Sequence, residues 1–495
     1  MADTFIALGR GYQSGANALN GGGFLQGGAA TYLTCQDSNG GPTDDGNCWD
    51  NPSDSFTCTV TTSSGKSEEG NGGKLYIENA SPSTITFINC VTGTYVYIEF
   101  EDTDTYSKGR YVLLENINSG GIIVDELYVS DTNCDCKVGG ALNTIQNLFD
   151  VGSTSCTMLI AVDSGGQTIE VEKEIIIGNI AMAGTSAAFT NIYSVDKTDG
   201  TELVFGTDTF PTLQATADID SIFHRSGAIN YVSVRGFIFD GHKSAGDRAN
   251  YCFRNSTVQV NYWYFDNCAF INADVSGFYF PVLAGNSSQW RMRRCEFNDN
   301  IAMGLDSTTS ELSSSIFIEC IFDGNGSYGA RLTGFNKFTR CRFTNNTTIG
   351  LYAYSVINIY SNCLFADNGG SGLFLNGSTD YVYGCVIDNN GGHGIEMDAG
   401  TVSHVVESCR ITNNTSYGIS ADDANVMNRE DYNVFFGNGS GDLNNIVSGE
   451  NSYGDDANHI SDPADDGYVA DTYNVKSGAE GRSIEIDLYW DEWSS

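Results

Sequence analysis

Three carboxylates, Glu396, Asp398 and Asp422, are the groups of this 495-residue chain best spaced for chemistry. Glu396 and Asp398 alternate, so on a β-strand both leave the same face about 7 Å apart. Carboxylates roughly 5–10 Å apart serve glycoside hydrolysis, one as acid and the other as nucleophile or base. The same oxygen-rich cluster suits Ca²⁺. A plain solvated acidic face is the third reading, since the chain holds 62 acidic residues against 24 basic ones. A second set, Tyr279, Asp306, Arg331, Tyr352, Phe374 and Glu396, places each residue two positions after a recurring glycine. Stacked coil over coil, these residues make an outward column in which aromatics interleave with charges, a surface suited to stacking on a glycan chain. No Gly-rich phosphate loop, nucleophile elbow or metal-spaced histidine pair occurs, and the chain has only 5 histidines. No resident metal and no cofactor is expected, Ca²⁺ being the one ion the carboxylates suit.

The element that must position these residues is a ladder. Cysteines recur at Cys268, Cys295, Cys320, Cys341, Cys363, Cys385 and Cys409. Two residues after each stands Phe270, Phe297, Phe322, Phe343, Phe365, Ile387 or Ile411, and five after the last six stands Asn300, Asn325, Asn346, Asn368, Asn390 or Asn414. Nine after every cysteine comes a glycine, from Gly277 to Gly418. Length varies almost wholly between that glycine and the next cysteine. Fixed spacing inside a unit and elastic spacing outside it mark a solenoid. After each glycine, apolar residues alternate with mixed ones, and a second inward pair and a third short strand complete the coil. Such coils stack like over like. The cysteines read as small buried hydrophobes rather than disulfides. Asn is expected to tolerate a left-handed corner and bond to the next Asn, and Gly to supply a turn that side chains resist.

Composition agrees with a large β protein: 58 Gly, 6 Pro and 12% aromatic residues. A formal charge of −38 repels nucleic acid and anionic membranes, so neither is expected as a partner. Residues 1–30 show no basic start and no apolar run, so no signal peptide is expected, and no stretch has the apolar length of a transmembrane segment. The expected organisation is an N-terminal arm, 1–30; a small β barrel or sandwich serving attachment, 31–137; a parallel β-helix, 138–450, opened by a capping helix over 138–150; and a C-terminal cap or partner-docking segment, 451–495. In the helix, Leu142, Ile145, Leu148 and Phe149 share a face that would cover the open apolar end of the tube.

The repeat, the helix before the first coils and the coil length together resemble the right-handed parallel β-helix, or pectate-lyase-like, superfamily over about 138–450. That resemblance implies an all-β solenoid and leaves function open among lyases, hydrolases, tailspikes and structural tubes. Gly392-His393-Gly394 matches a motif of polygalacturonases in that superfamily. Asn-Thr-Asp is missing here, however, and Asp422-Asp423 falls in the wrong order. His393 thus reads as a tolerant corner position. A small β module, a helix and then coils is also similar to virion proteins of tailed bacteriophages: tailspikes, head or tail fibres and decoration proteins. The implied partners are other capsid or tail proteins, further copies of the chain, with a trimer favoured, and a host glycan. The implied location is the virion, assembled in host cytoplasm. The alternative is a polysaccharide-degrading enzyme, a glycoside hydrolase or lyase, acting through Glu396, Asp398 and Asp422.

Overall fold

The structure is a computed structural model. It describes residues 154–454 apart from short gaps, the helix 145–151, and the backbone of strands at 4–8, 58–60, 74–79, 95–100, 109–116, 121–127, 134–139, 468–469 and 474–475. The aromatic segment 484–493 and the side chains of the N-terminal cysteines Cys35 to Cys136 lie outside the described residues. The chain forms two compact units, 1–274 and 275–495. Its fold is all-β, a right-handed parallel β-helix with a small N-terminal β module and a short helix.

In residues 275–495 each coil carries three short strands. The first precedes the cysteine (for example Asn336–Thr339), the second holds the phenylalanine (Arg342–Thr344), and the third follows the glycine (Leu351–Tyr354). Each pairs in parallel with its counterpart one coil on: Asn336 with Asn358, Phe343 with Phe365, Leu351 with Leu373. Like residues therefore stack. The rings of Phe297, Phe322, Phe343 and Phe365 lie nearly parallel with centroids 4.6, 4.6 and 4.9 Å apart, and each such contact adds roughly 0.5–1.5 kcal/mol beyond area burial. The cysteines from Cys295 to Cys409 are buried and free. Cys341 Sγ donates to Phe317 O at 3.4 Å and lies 3.5 Å from Thr339 O. Burial pushes the Cys320, Cys341 and Cys385 thiols up from their ordinary range.

The asparagine column bonds as its spacing predicts. Asn346 Nδ2 donates to Asn368 Oδ1 at 2.9 Å and to Phe322 O at 3.0 Å, and Asn346 N donates to the same Oδ1 at 3.1 Å. The column continues through Asn390, Asn414 and Asn438 with the same contacts. Both polar ends of each buried amide are satisfied, which is what permits burial.

The expected backbone roles of Asn and Gly are corrected. The left-handed residue is the one before the asparagine: Asp299, Asn345, Asp367, Asn389 and Asn413 have φ between 53° and 58°, with Gly324 and Gly437 in the same place. A second left-handed residue precedes each cysteine, among them Arg294, Glu319 and Arg340. The ladder glycines are needed for space instead. A Cβ at Gly350 would stand 2.5 Å from Gly372 O and 2.9 Å from Asn368 Nδ2, so the glycine lets the asparagine column pass close beside the strand.

The opening position of the first strand carries a second polar column. Asn336, Asn358, Asp380 and His404 are 3% exposed or less. Asn336 N and Asn358 N donate to Asn358 Oδ1 and Asp380 Oδ1 at 3.0 and 2.9 Å, and His404 Nδ1 lies 3.3 Å from Asp380 Oδ2.

In residues 1–274 the strands between 58 and 139 close a six-stranded antiparallel barrel, in the order 58–60, 74–79, 121–127, 109–116, 95–100, 134–139. The helix runs Ile145–Val151, shorter and later than the 138–150 expected, because residues 134–139 pair with 95–100 in the barrel and Gly139-Gly140 disfavours helix. Ile145, Leu148 and Phe149 are fully buried, and Phe149 meets Phe223 edge-on at 5.5 Å. Gln146 does what the hydrophobic pattern could not show. Ile176 N donates to its Oε1 at 2.7 Å and its Nε2 donates to Ile176 O at 3.1 Å, so one amide side chain pairs with the open edge of strand Ile175–Ile177. Residues Thr4–Leu8, from the expected arm, form a strand parallel to Thr157–Val162. Phe237 and Phe239 stand in register with Cys268 and Phe270, where the cysteine and phenylalanine of a coil would fall. The long interval before Cys268 holds strand Ala249–Asn255, and Asp240 ties its corner by accepting from Asn272 Nδ2 at 3.0 Å and Gln214 Nε2 at 2.9 Å.

Candidate functional site

The outer wall of the third strands carries the column that spacing predicts. Tyr279 pairs with Asp306, Asp306 with Arg331, Arg331 with Tyr352, Tyr352 with Phe374, and Phe374 with Glu396. The register comes from the inward residues on either side, so each outward residue is placed by its neighbours' burial.

The column has three parts. Toward one end, next to Tyr279, Arg331 holds Asp306 with two contacts, Nε to Oδ1 at 3.3 Å and Nη2 to Oδ2 at 3.2 Å, and Asp306 is only 7% exposed. In the middle Tyr352 stacks on Phe374 with centroids 4.4 Å apart and 19° between planes. Tyr354 lies 4.5 Å from Tyr352, and Tyr328 meets Tyr352 edge-on at 5.7 Å. Burial, the Tyr354 hydroxyl and the Asp398 charge push the Tyr352 hydroxyl up to about 12, so it is a hydrogen-bond donor at neutral pH. At the far end Glu396 Oε2 accepts from Ser371 Oγ at 2.5 Å, and Asp398 Oδ2 accepts from Asn376 Nδ2 at 2.8 Å.

Glu396 lies on strand Ile395–Met397 and Asp398 directly after it, both half-buried, and Asp422 follows strand Tyr417–Ala421 on the next coil, exposed. Among the described residues no group of three or more His, Cys, Asp or Glu is placed to hold a metal ion. His393 sits in the corner beside Tyr417, rings 5.9 Å apart, where its Nδ1 accepts from Tyr417 N at 3.3 Å. Spacing did not reveal three exposed apolar residues: Phe335 and Ile357, at equivalent corners of adjacent coils, and Tyr354 are 37–40% exposed.

A separate polar cluster lies in residues 1–274 and has no local motif. His224 Nε2 is 2.5 Å from Ser256 Oγ, and His224 Nδ1 is 3.1 Å from Glu174 Oε2. Ser221 Oγ donates to Glu174 Oε1 at 2.9 Å. Burial raises the Glu174 carboxyl, and the hydrogen bonds from His224 and Ser221 outweigh it, holding the group below its ordinary range. The register that sets Ile175 beside Phe223 and Arg225 beside Asn255 brings these three coils together. Sequence reasoning missed the cluster because its members are spread from position 174 to 256.

Among the described residues no helix is long and apolar enough to cross a membrane. No curated protein matches the sequence. In structure the chain is similar to the A-module of mannuronan C-5 epimerase AlgE4 from Azotobacter vinelandii, at 12% identity over 63% of this chain and 94% of that one, TM-score 0.38. It is also similar to ORF18 of Geobacillus virus E2, at 14% identity over 63% and 57%, TM-score 0.38. A third similarity is to the Dettilon tailspike protein, at 12% identity over 59% and 62%, TM-score 0.33. At these identities and TM-scores the three likenesses carry no argument about activity. Residues 311–461 match the profile of the family described as right handed beta helix region, and the chain folds as a right-handed parallel β-helix.

Proposed function

We propose that this chain is a structural protein of a bacteriophage virion, a β-helical fibre, spike or decoration protein on capsid or tail, whose outer wall contacts a neutral host-surface glycan. The observation that carries the glycan contact is the Tyr352–Phe374 stack, set between hydrogen-bonding groups on a wall that its ladders hold rigid. Pyranose rings present an apolar C–H face to aromatic rings and hydroxyls to carboxylates and amides. Glu396, Asp398 and Asn376 supply the polar contacts, and Tyr354 widens the platform. The ligand is neutral because the surface is acidic overall and the cation in the column, Arg331, is already bound by Asp306. The virion assignment rests on the order of parts, a small barrel, a helix and then a tube, which resembles fibre and spike proteins with an attachment module.

The test is binding of the full chain to a panel of neutral and anionic polysaccharides. Tyr352→Ala and Phe374→Ala should each weaken binding of a neutral glycan about fivefold to thirtyfold, in line with roughly 1–2 kcal/mol per aromatic contact. Binding that prefers anionic polymers, or that ignores both substitutions, would refute the glycan face. The polysaccharide-degrading alternative makes a separate demand: chain cleavage that disappears in Glu396→Gln or Asp398→Asn.

A further inference from the structure

Glu174, His224 and Ser256 stand on three successive coils, with the ring nitrogens of His224 within hydrogen-bond reach of the other two. Glu174, ionised, can only accept, so the proton of a neutral His224 sits on Nδ1 and the Nε2 lone pair faces Ser256 Oγ. Ser221 fixes the second carboxylate oxygen and so sets the direction of the first. The Ser256 hydroxyl also donates to Arg225 O at 3.1 Å. Arg254, the register partner of His224, is bound to Asp220 and does not compete for Glu174. Nucleophile, base and orienting acid in this order define a charge-relay constellation, which is recognised by geometry and role rather than by position in sequence.

We propose that Ser256, His224 and Glu174 form a hydrolytic site for carboxylic esters, of the class of short O-acyl groups carried on a polymer. His224 and Glu174 side chains are 18% and 25% exposed, so the site opens on the outer wall, where an acyl group borne by a bulky carrier reaches it. Ser256 Oγ adds to the ester carbonyl carbon while its proton passes to His224 Nε2. The bond from that carbon to the alcohol oxygen breaks, and the alcohol leaves with the proton from His224. Water then adds to the acyl-serine, giving a proton to His224. The carboxylic acid departs, and Ser256 recovers its proton. The sum is ester plus water to acid plus alcohol, with no other reactant. Ser256 is the nucleophile, His224 the base, and Glu174 a positioning residue. The site lies in residues 1–274 and does not depend on the glycan column.

The experiment treats the full chain with a fluorophosphonate, which phosphonylates activated serines, and follows p-nitrophenyl acetate hydrolysis in parallel. One adduct, mapped to Ser256 by mass spectrometry, is expected. Its rate of formation should fall about a hundredfold or more in His224→Gln and less in Glu174→Gln, and Glu174→Asp should restore part of the loss. Turnover should vanish in Ser256→Ala, whose unfolding temperature, a small change at a half-buried hydroxyl, checks that the fold persists. A folded wild-type chain that takes no adduct at Ser256, or acetate release that survives Ser256→Ala, overturns the proposal. Labelling that is indifferent to His224→Gln and Glu174→Gln overturns it equally, because a merely structural polar ladder would not activate the serine.

Discussion

Residues 295–438 and residues 157–271 belong to the same kind of coil, yet they are built differently. The first set repeats Cys, Phe, Asn and Gly in fixed register, and one column of amides joins every level. The second set fills the equivalent places with individual solutions. Phe237 stands where a cysteine would, Asp240, three residues on, is held by Gln214 and Asn272, and the edge at Ile176 is closed by Gln146 from outside the set. Repetition lets neighbours satisfy one another, so each coil needs little of its own. Where repetition fails, each polar group must find a particular partner, and particular partners are what chemistry requires. The Ser256–His224–Glu174 cluster stands in that irregular part.

Substitutions separate the two modes, and the largest effect is expected in the regular part. Gly350→Val forces side-chain atoms against Gly372 O and Asn368 Nδ2, and should lower stability by about 3–5 kcal/mol in denaturant unfolding. A cost under about 1 kcal/mol would show that the strands can separate and that the glycine is not there for close approach. Next, Asn368→Ala strips the acceptor from Asn346 N and Nδ2 and the donor from Phe343 O, and should cost about 2–4 kcal/mol. Cys341→Ser should cost less, about 1–2 kcal/mol, since Phe317 O and Thr339 O already stand ready to accept. In the irregular part, Gln146→Ala removes two hydrogen bonds at an exposed edge and should cost about 1 kcal/mol. If Gln146→Ala proved worse than Asn368→Ala, the contrast between shared and individual satisfaction would be reversed.

The smallest effect concerns pH. The folded Glu174 carboxyl titrates below its ordinary value of 4.5. Its contribution is therefore fully present above 4.5 and is lost as pH falls through the folded value. Glu174→Gln should flatten the acid side of the stability curve and leave the neutral side nearly unchanged in slope, which thermal unfolding across pH 3 to 7 would read.

What was legible in the sequence follows from the same contrast. The period placed every third strand and with it the outward column from Tyr279 to Glu396, because alternation decides which side chains face out. The burial of the cysteines and the bonding of Asn300 to Asn414 were also readable. The backbone roles were not. An asparagine at 5 and a glycine at 9 do not reveal that the left-handed residue stands at 4, occupied by Asp299, Gly324 or Asn345 alike. Nor does alternation tell an open carboxylate from an engaged one. Asp306 is bound by Arg331 from the next coil and Asp398 accepts from Asn376, contacts that alternation alone does not give. Apolar spacing alone sets the capping helix too early, because it does not weigh the glycine pair at 139–140. Contacts made by partners far apart in sequence, such as Gln146 with Ile176 or Ser256 with His224 and Glu174, leave no local trace.

The most direct measurement of the central claim is electron microscopy of the native assembly that contains this chain, with its mass taken by light scattering. A virion structural role predicts a regular array or threefold projections on a capsid or tail, each built from copies of this chain. A free monomer with no particle association would contradict that role and move the weight to a polysaccharide-degrading enzyme acting through Glu396 and Asp398.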